Sequence, residues 1–142
     1  MSEENKRIAR RVIEALWNQG KFELAQELIA RDYVEHMPRD KTHGPEGVKQ
    51  FLSEQRSGFP DLHYTVEDQV AEGDKVVTRW VARGTHQGEF KGRPATGKRG
   101  SVTGITICRI AGGKLIEAWT NPDEFGLMRQ LEVTSSPAEK AV

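Results

Sequence analysis

Apolar positions in the first third of the chain recur at helical spacing. Ile8, Val12, Ile13 and Leu16 fall on one face, Trp17 widens the stripe, and Ser2-Glu3-Glu4 offers a cap and an acidic first turn, which together predict a helix over 3–18. Gly20 in NQGK stops it. Phe22, Ala25, Leu28 and Ile29 then predict a second, shorter helix ending near Ala30, the two forming a hairpin. RDYVEHMP predicts no more than a short extended segment closed by Pro38. In THGPEGVKQFLSEQRSGFP, Pro45 suits a first helical turn and Val48, Phe51 and Leu52 share a face, giving a third helix that stops before Phe59-Pro60.

From Leu62 the period changes to two, with Leu62, Tyr64, Val66 and Val70 alternating against His63, Thr65, Glu67 and Gln69. AEGDK reads as a hairpin turn, VVTRWVARGTHQGEF as a long strand, KGRPATGKRG as a loop, SVTGITICRI as a strand, AGGK as a tight turn and LIEAWT as the last strand. DEFGLMRQL follows as a short closing helix. Three helices followed by four antiparallel strands is an α+β order, in which helices cover one face of a twisted sheet that curls around a cavity. Residues 1–131 are expected to form one domain, and 132–142, with its small polar run TSSPAEKAV, a disordered tail.

Composition narrows the function classes. Lys plus Arg and Asp plus Glu number 21 each, so the formal charge is zero and no sign-biased field is available to hold nucleic acid. The single cysteine, Cys108, excludes an intrachain disulfide and any Cys-x-x-Cys site, which fits a reducing compartment. MSEENKRIARRVIEALW is charged from its third residue and lacks a signal-peptide core, and no run approaches the ~18 apolar residues of a membrane span. The expectation is a cytoplasmic protein with no membrane partner.

Several local patterns carry a family likeness: WNQGKFELAQELIARDYVEH, GPEGVKQFLSEQRSGFPDLHYTVEDQVAEGDKVVTRW, GTHQGEFKGRPATGK and GKLIEAWTNPDEFGLMRQL. Their order over residues 8–131, with the GTH-x-G and E-x-W-x-x-x-D pair, resembles the polyketide-cyclase-like (SnoaL-like) branch of the nuclear transport factor 2-like superfamily. The resemblance implies a cone-shaped α+β barrel, a curved antiparallel or mixed sheet wrapped around N-terminal helices with an apolar cavity between them. It also implies that an aspartate matching Asp123 serves as acid/base in an intramolecular aldol closure without metal or organic cofactor. Cyclases of the family carry a histidine on the strand before the final hairpin, whereas GITICRIAGG has none, so the partner of Asp123 must differ.

Asp123 also has a plainer reading, as the N-cap of DEFGLMRQL, and the two roles are compatible. His86, at the end of GTH, is the second catalytic candidate, and His36 in the first extended segment is a candidate cavity donor. Arg79 reaches an acid such as Asp123 or Glu117 if its strand face lines the cavity, and otherwise lies at the surface. Tyr33, Trp17 and Trp119 are candidate walls, while Trp80 with Ala82 is a candidate subunit contact. His36, Asp40 and His43 have no ligand spacing, so no metal site is expected.

The leading expectation is cofactor-free aldol cyclisation or isomerisation of a small apolar carbonyl compound by a homodimer or homotetramer. A hydratase or epoxide-opening enzyme, with Glu117 as second acid, is one alternative. A non-catalytic ligand-binding or dimerisation module is the other.

Overall fold

The computed structural model describes residues 2–132. The first helix, α1 (Ser2–Val12), runs on without a break into a π-helical stretch, Ile13–Asn18, which buries Ile13, Ala15 and Leu16. The second expected helix is reduced to a 3-10 turn, Phe22–Leu24, and one α-turn, α2 (Ala25–Leu28). It stops early because Ile29 already belongs to β1 (Ile29–His36). The short β2 (Lys41–His43) leads into α3 (Gly44–Gly58), which has Pro45 in its first turn as the sequence predicts.

A meander follows: β3 (His63–Glu72), β4 (Lys75–Thr85), β5 (Arg99–Ala111) and β6 (Lys114–Pro122), and then α4 (Glu124–Glu132). The four expected strands are present, and β1 and β2 make six, in the order β2-β1-β6-β5-β4-β3. β1 is not marginal. It pairs antiparallel with β2 and parallel with β6, so the sheet is mixed and unclosed. β4 ends at Thr85, and residues 86–98 form a loop with one isolated bridge, Phe90 to Arg93. The tail expected over 132–142 lies outside the described residues apart from Glu132, which closes α4.

Side-chain parity assigns the two sheet faces. Val76, Thr78, Trp80 and Ala82 of β4 point to the helical side, as do Thr106 and Cys108 of β5 and Ala118 and Thr120 of β6, and all are buried. One core joins Val12 and Leu16 to Val48, Leu52, Val76 and Cys108. A second joins Ile13, Phe59, Tyr64 and Trp80 to Leu127 and Leu131 of α4. Trp80 and Ala82 are therefore inside the molecule, not on the open face where a subunit contact was expected. That open face carries Val77, Arg79, Val81, Ile105, Ile107 and Trp119, with Ile105 the most exposed of the apolar ones. Among the described residues no helix is long and apolar enough to cross a membrane.

Gly104 fixes the seat of the central tryptophan. A Cβ there would lie 2.3 Å from Trp80 Cζ2, so the indole packs flat over the β5 backbone only because position 104 has no side chain. The indole Nε1–H donates to Thr106 Oγ1 at 3.0 Å.

Candidate active site

Between the curved sheet and the helices lies a cavity of about 730 Å³, its open mouth included. Its inner end is walled by Trp17, Glu35, Tyr64, Trp80 and Thr120, its middle by Phe59, Phe90, Val102 and Leu127. Met37, Phe51, Lys91, Pro122 and Glu124 are shared with a vestibule outside, so they frame the mouth. Lys91 Nζ bonds both carboxylate oxygens of Glu124, at 2.5 and 2.9 Å, and pins the 86–98 loop against α4.

Glu35 is the buried carboxyl of this site. It is 7% exposed and lines both the cavity and a smaller void beneath it. The Thr120 hydroxyl donates to its Oε2 at 2.6 Å and the Tyr33 hydroxyl to its Oε1 at 3.3 Å. Thr120 Oγ1 lies 3.0 Å from Thr106 Oγ1. When Glu35 is ionised its oxygens only accept, so Thr120 spends its one proton on Glu35 and accepts from Thr106, which accepts the Trp80 indole N–H. Burial pushes the Glu35 carboxyl above its ordinary range, with the Thr120 and Tyr33 hydrogen bonds opposing. A carboxyl so placed takes and returns a proton nearer neutrality than a solvated one.

The residues expected from sequence distribute unevenly around this site. Trp17, delivered by the π-helical stretch, is a wall. Tyr33 lies under Glu35 as its hydrogen-bond donor, at 3% exposure. Asp123 is exposed and stands outside the mouth, in the vestibule. Its Oδ1 accepts the Gly126 N–H at 3.0 Å, which is the N-cap bond of α4. His86 is fully buried but lies behind the cavity wall, stacked on Phe59 at 5.3 Å with Nδ1 3.0 Å from Thr96 Oγ1.

His36, Arg79 and Trp119 are on the opposite face of the sheet, because each alternates with an inward residue: Glu35, Trp80 and Thr120. His36 Nε2 lies 2.8 Å from Glu117 Oε2, and its ring stacks on Trp119 at 5.4 Å. Arg79 makes a two-pronged bond to Asp68, at 3.1 and 3.2 Å, and so reaches neither Asp123 nor Glu117. Glu117 is held by His36 and Arg109, both of which lower its pKa. Among the described residues no three potential metal ligands come together. Burial pushes the Cys108 thiol up to about 12, so this core cysteine is no nucleophile.

Glu35, Tyr64, Thr106 and Thr120 were the residues sequence reasoning missed. The signal for Glu35 was parity: a strand through YVEH puts Tyr33 and Glu35 on one face and His36 on the other, so Tyr33 and His36 do not line one pocket together.

Both the sequence and the fold of this chain recur among known proteins. The aklanonic acid methyl ester cyclase DnrD of Streptomyces peucetius is 32% identical over 130 residues, covering 87% of this chain and 88% of its own. The nogalonic acid methyl ester cyclase of Streptomyces nogalater is 30% identical over 120 residues, covering 81% and 88%. The structure of wild-type IdmH from Streptomyces antibioticus superposes with a TM-score of 0.80 at 36% identity, covering 90% of this chain and 98% of IdmH. With the sequence model of the SnoaL-like polyketide cyclases matching residues 7–131, and with this fold beneath it, the chain belongs to the SnoaL-like polyketide cyclase family.

Proposed function

We propose that this chain closes a ring in a small, carbonyl-bearing polyketide by an intramolecular aldol reaction, with Glu35 as the proton-transfer group. The observation that carries this reading is the Glu35 carboxyl, buried at the inner end of an apolar cavity and held by Thr120 and Tyr33. The Glu35 carboxylate removes a proton from a carbon next to a carbonyl, leaving an enolate. The enolate carbon attacks a second carbonyl carbon of the same molecule, forming one C–C bond and an alkoxide. The alkoxide then takes the proton back from Glu35, so the product is an isomer of the substrate and no electrons leave or enter. The walls of Trp17, Phe51, Phe59 and Trp80 exclude water and hold a flat apolar substrate.

The related cyclases named above act on methyl esters of aklanonic and nogalonic acid, and a related polycyclic ester is the substrate class we assign here. We place the base at Glu35 and not at Asp123 because Asp123 lies outside the cavity mouth and its Oδ1 caps α4. Water-adding or epoxide-opening chemistry is disfavoured, because Glu117, its second acid, points away from the cavity. The enzyme works without a cofactor and as a homo-oligomer joined through the open sheet face, where Ile105 and Trp119 lie.

The test compares Glu35→Gln and Asp123→Asn on a panel of such esters, with products resolved by chiral chromatography. Glu35→Gln should cost about 100-fold or more in kcat, the scale of losing general-base catalysis. Asp123→Asn should stay within a few-fold of the parent. Wild-type turnover by Glu35→Gln overturns the assignment, and a collapse of Asp123→Asn instead returns the base to the vestibule.

A further inference from the structure

Tyr64 is the deep-cavity residue that the fold immobilises most and leaves with its functional group unused. It sits on β3, an edge strand, opposite Ala82 of β4. Both its backbone groups are tied to one side chain: Tyr64 N–H donates to Asn18 Oδ1 at 2.7 Å, and Asn18 Nδ2 donates to the Tyr64 carbonyl at 2.9 Å. Asn18 ends the π-helical stretch that also delivers Trp17. The Tyr64 ring packs against Trp17 at 4.8 Å and against Trp80 at 5.1 Å, tilted by 59° and 65°. Backbone and ring are thus both fixed.

A buried tyrosine hydroxyl ordinarily finds a partner. The Tyr33 hydroxyl has one in Glu35. The Tyr64 hydroxyl has none among the described residues. The polar side-chain atoms there that are both fully buried and unpartnered are Arg56 Nε and His86 Nε2, so the Tyr64 hydroxyl keeps accessible surface, and the space its residue lines is the cavity. Two other donors at that end are committed, Trp80 Nε1–H to Thr106 and Thr120 to Glu35, whereas the indole N–H of the half-buried Trp17 has no hydrogen-bond partner among the described residues. Burial, with the charge of Glu35 adding and Arg56 opposing, raises the Tyr64 pKa, so the group stays a neutral O–H.

We propose that the Tyr64 hydroxyl is the hydrogen-bond donor to the substrate carbonyl whose oxygen becomes the enolate. The inference deepens the reading given above and rests on it only in taking this cavity as the site. A fixed donor aimed at an oxygen that gains charge stabilises the transition state more than the ground state, because no reorientation is needed when the charge arrives. Gln55 also lines the cavity, but its side chain has more rotatable bonds, is held by no hydrogen bond among the described residues and is the less organised donor.

The test reads the donor directly, without turnover. Acetophenone carrying ¹³C at the carbonyl is titrated into the protein and the bound C=O band followed by difference infrared spectroscopy. In the wild type the band should move to lower wavenumber than in an apolar solvent. Tyr64→Phe, which keeps the ring between Trp17 and Trp80, should abolish the shift and weaken binding about threefold to tenfold, the scale of one hydrogen bond. Glu35→Gln and Gln55→Ala should keep the shift. A shift that survives in Tyr64→Phe, or that vanishes in Glu35→Gln or Gln55→Ala while Tyr64→Phe retains it, overturns the inference. Failure of the wild type to bind acetophenone saturably overturns the cavity as the site, and the inference with it. Full turnover by Glu35→Gln removes the proton-transfer assignment alone and leaves the band assignment intact.

Discussion

Thr120→Val removes one hydroxyl from the chain that runs from Trp80 through Thr106 and Thr120 to Glu35, with little change of shape. Two bonds go at once, the 2.6 Å bond to Glu35 and the 3.0 Å bond with Thr106. A buried neutral hydrogen bond is worth about 1 kcal/mol and one to a charged group about 1.5–3 kcal/mol. With Glu35 protonated the loss should therefore be about 2 kcal/mol, and with Glu35 ionised about 2.5–4 kcal/mol. The folded-state pKa of Glu35 is raised by burial, so its contribution to stability is fully present below the unfolded pKa and is lost as pH rises through the folded one. Without the Thr120 donor the folded pKa rises further, and the gap between variant and parent must widen with increasing pH. At roughly 3 °C per kcal/mol for a chain of this size, Tm should fall by about 6 °C on the acid side and about 10 °C on the alkaline side. Thermal melts from pH 4 to 9 measure this, with Thr120→Ser restoring most of the loss. A gap that does not grow with pH, or one within 2 °C throughout, refutes the network.

Gly104→Ala should cost at least about 1–3 kcal/mol through overpacking, since its Cβ would stand 2.3 Å from the Trp80 ring. Near-ultraviolet circular dichroism should report the displaced indole, and an unchanged spectrum and Tm would sink the close-packing argument. Asp123→Ala should lose about 1 kcal/mol with the α4 cap and Asp123→Asn almost none, as measured by urea unfolding. Exhaustive chelation should leave Tm unchanged, and zinc retained stoichiometrically after dialysis would contradict this. Sedimentation at micromolar concentration should show self-association that Ile105→Lys, on the open sheet face, abolishes. A purely monomeric parent would count against that face as an interface.

The periodicities that set the fold were plain along the chain: the 3.6-residue stripe of α1, the two-residue alternation of the meander, Pro45 opening α3. What escaped was the status of β1. Read alone, RDYVEH is short and polar, and only its pairing with β6, more than 80 residues away, makes it an inner strand. Once β1 is a strand, parity buries Glu35 and turns out His36, whereas charge alone suggests the reverse. The same ambiguity affected Arg79 and Trp80, since nothing local says which of two neighbours faces the helices. Asp123 was legible as a cap, and the structure has it capping α4. Tyr64 was seen as a strand residue, but its free hydroxyl depends on Asn18, Trp17 and Trp80 arriving from other elements.

The parallel pairing of β1 with β6 also sets a schedule. Glu35 is made early in synthesis, but the Thr120 hydroxyl that holds it is 85 residues downstream, on the last strand. Until β6 docks, β1 has only the short β2 beside it, and the Glu35 carboxyl is left in water with an ordinary acidity. Contacts this distant in sequence close late and slowly, after the local hairpins of β3 to β6 have formed. The hydroxyl that holds the Glu35 carboxyl is therefore supplied only by the final strand.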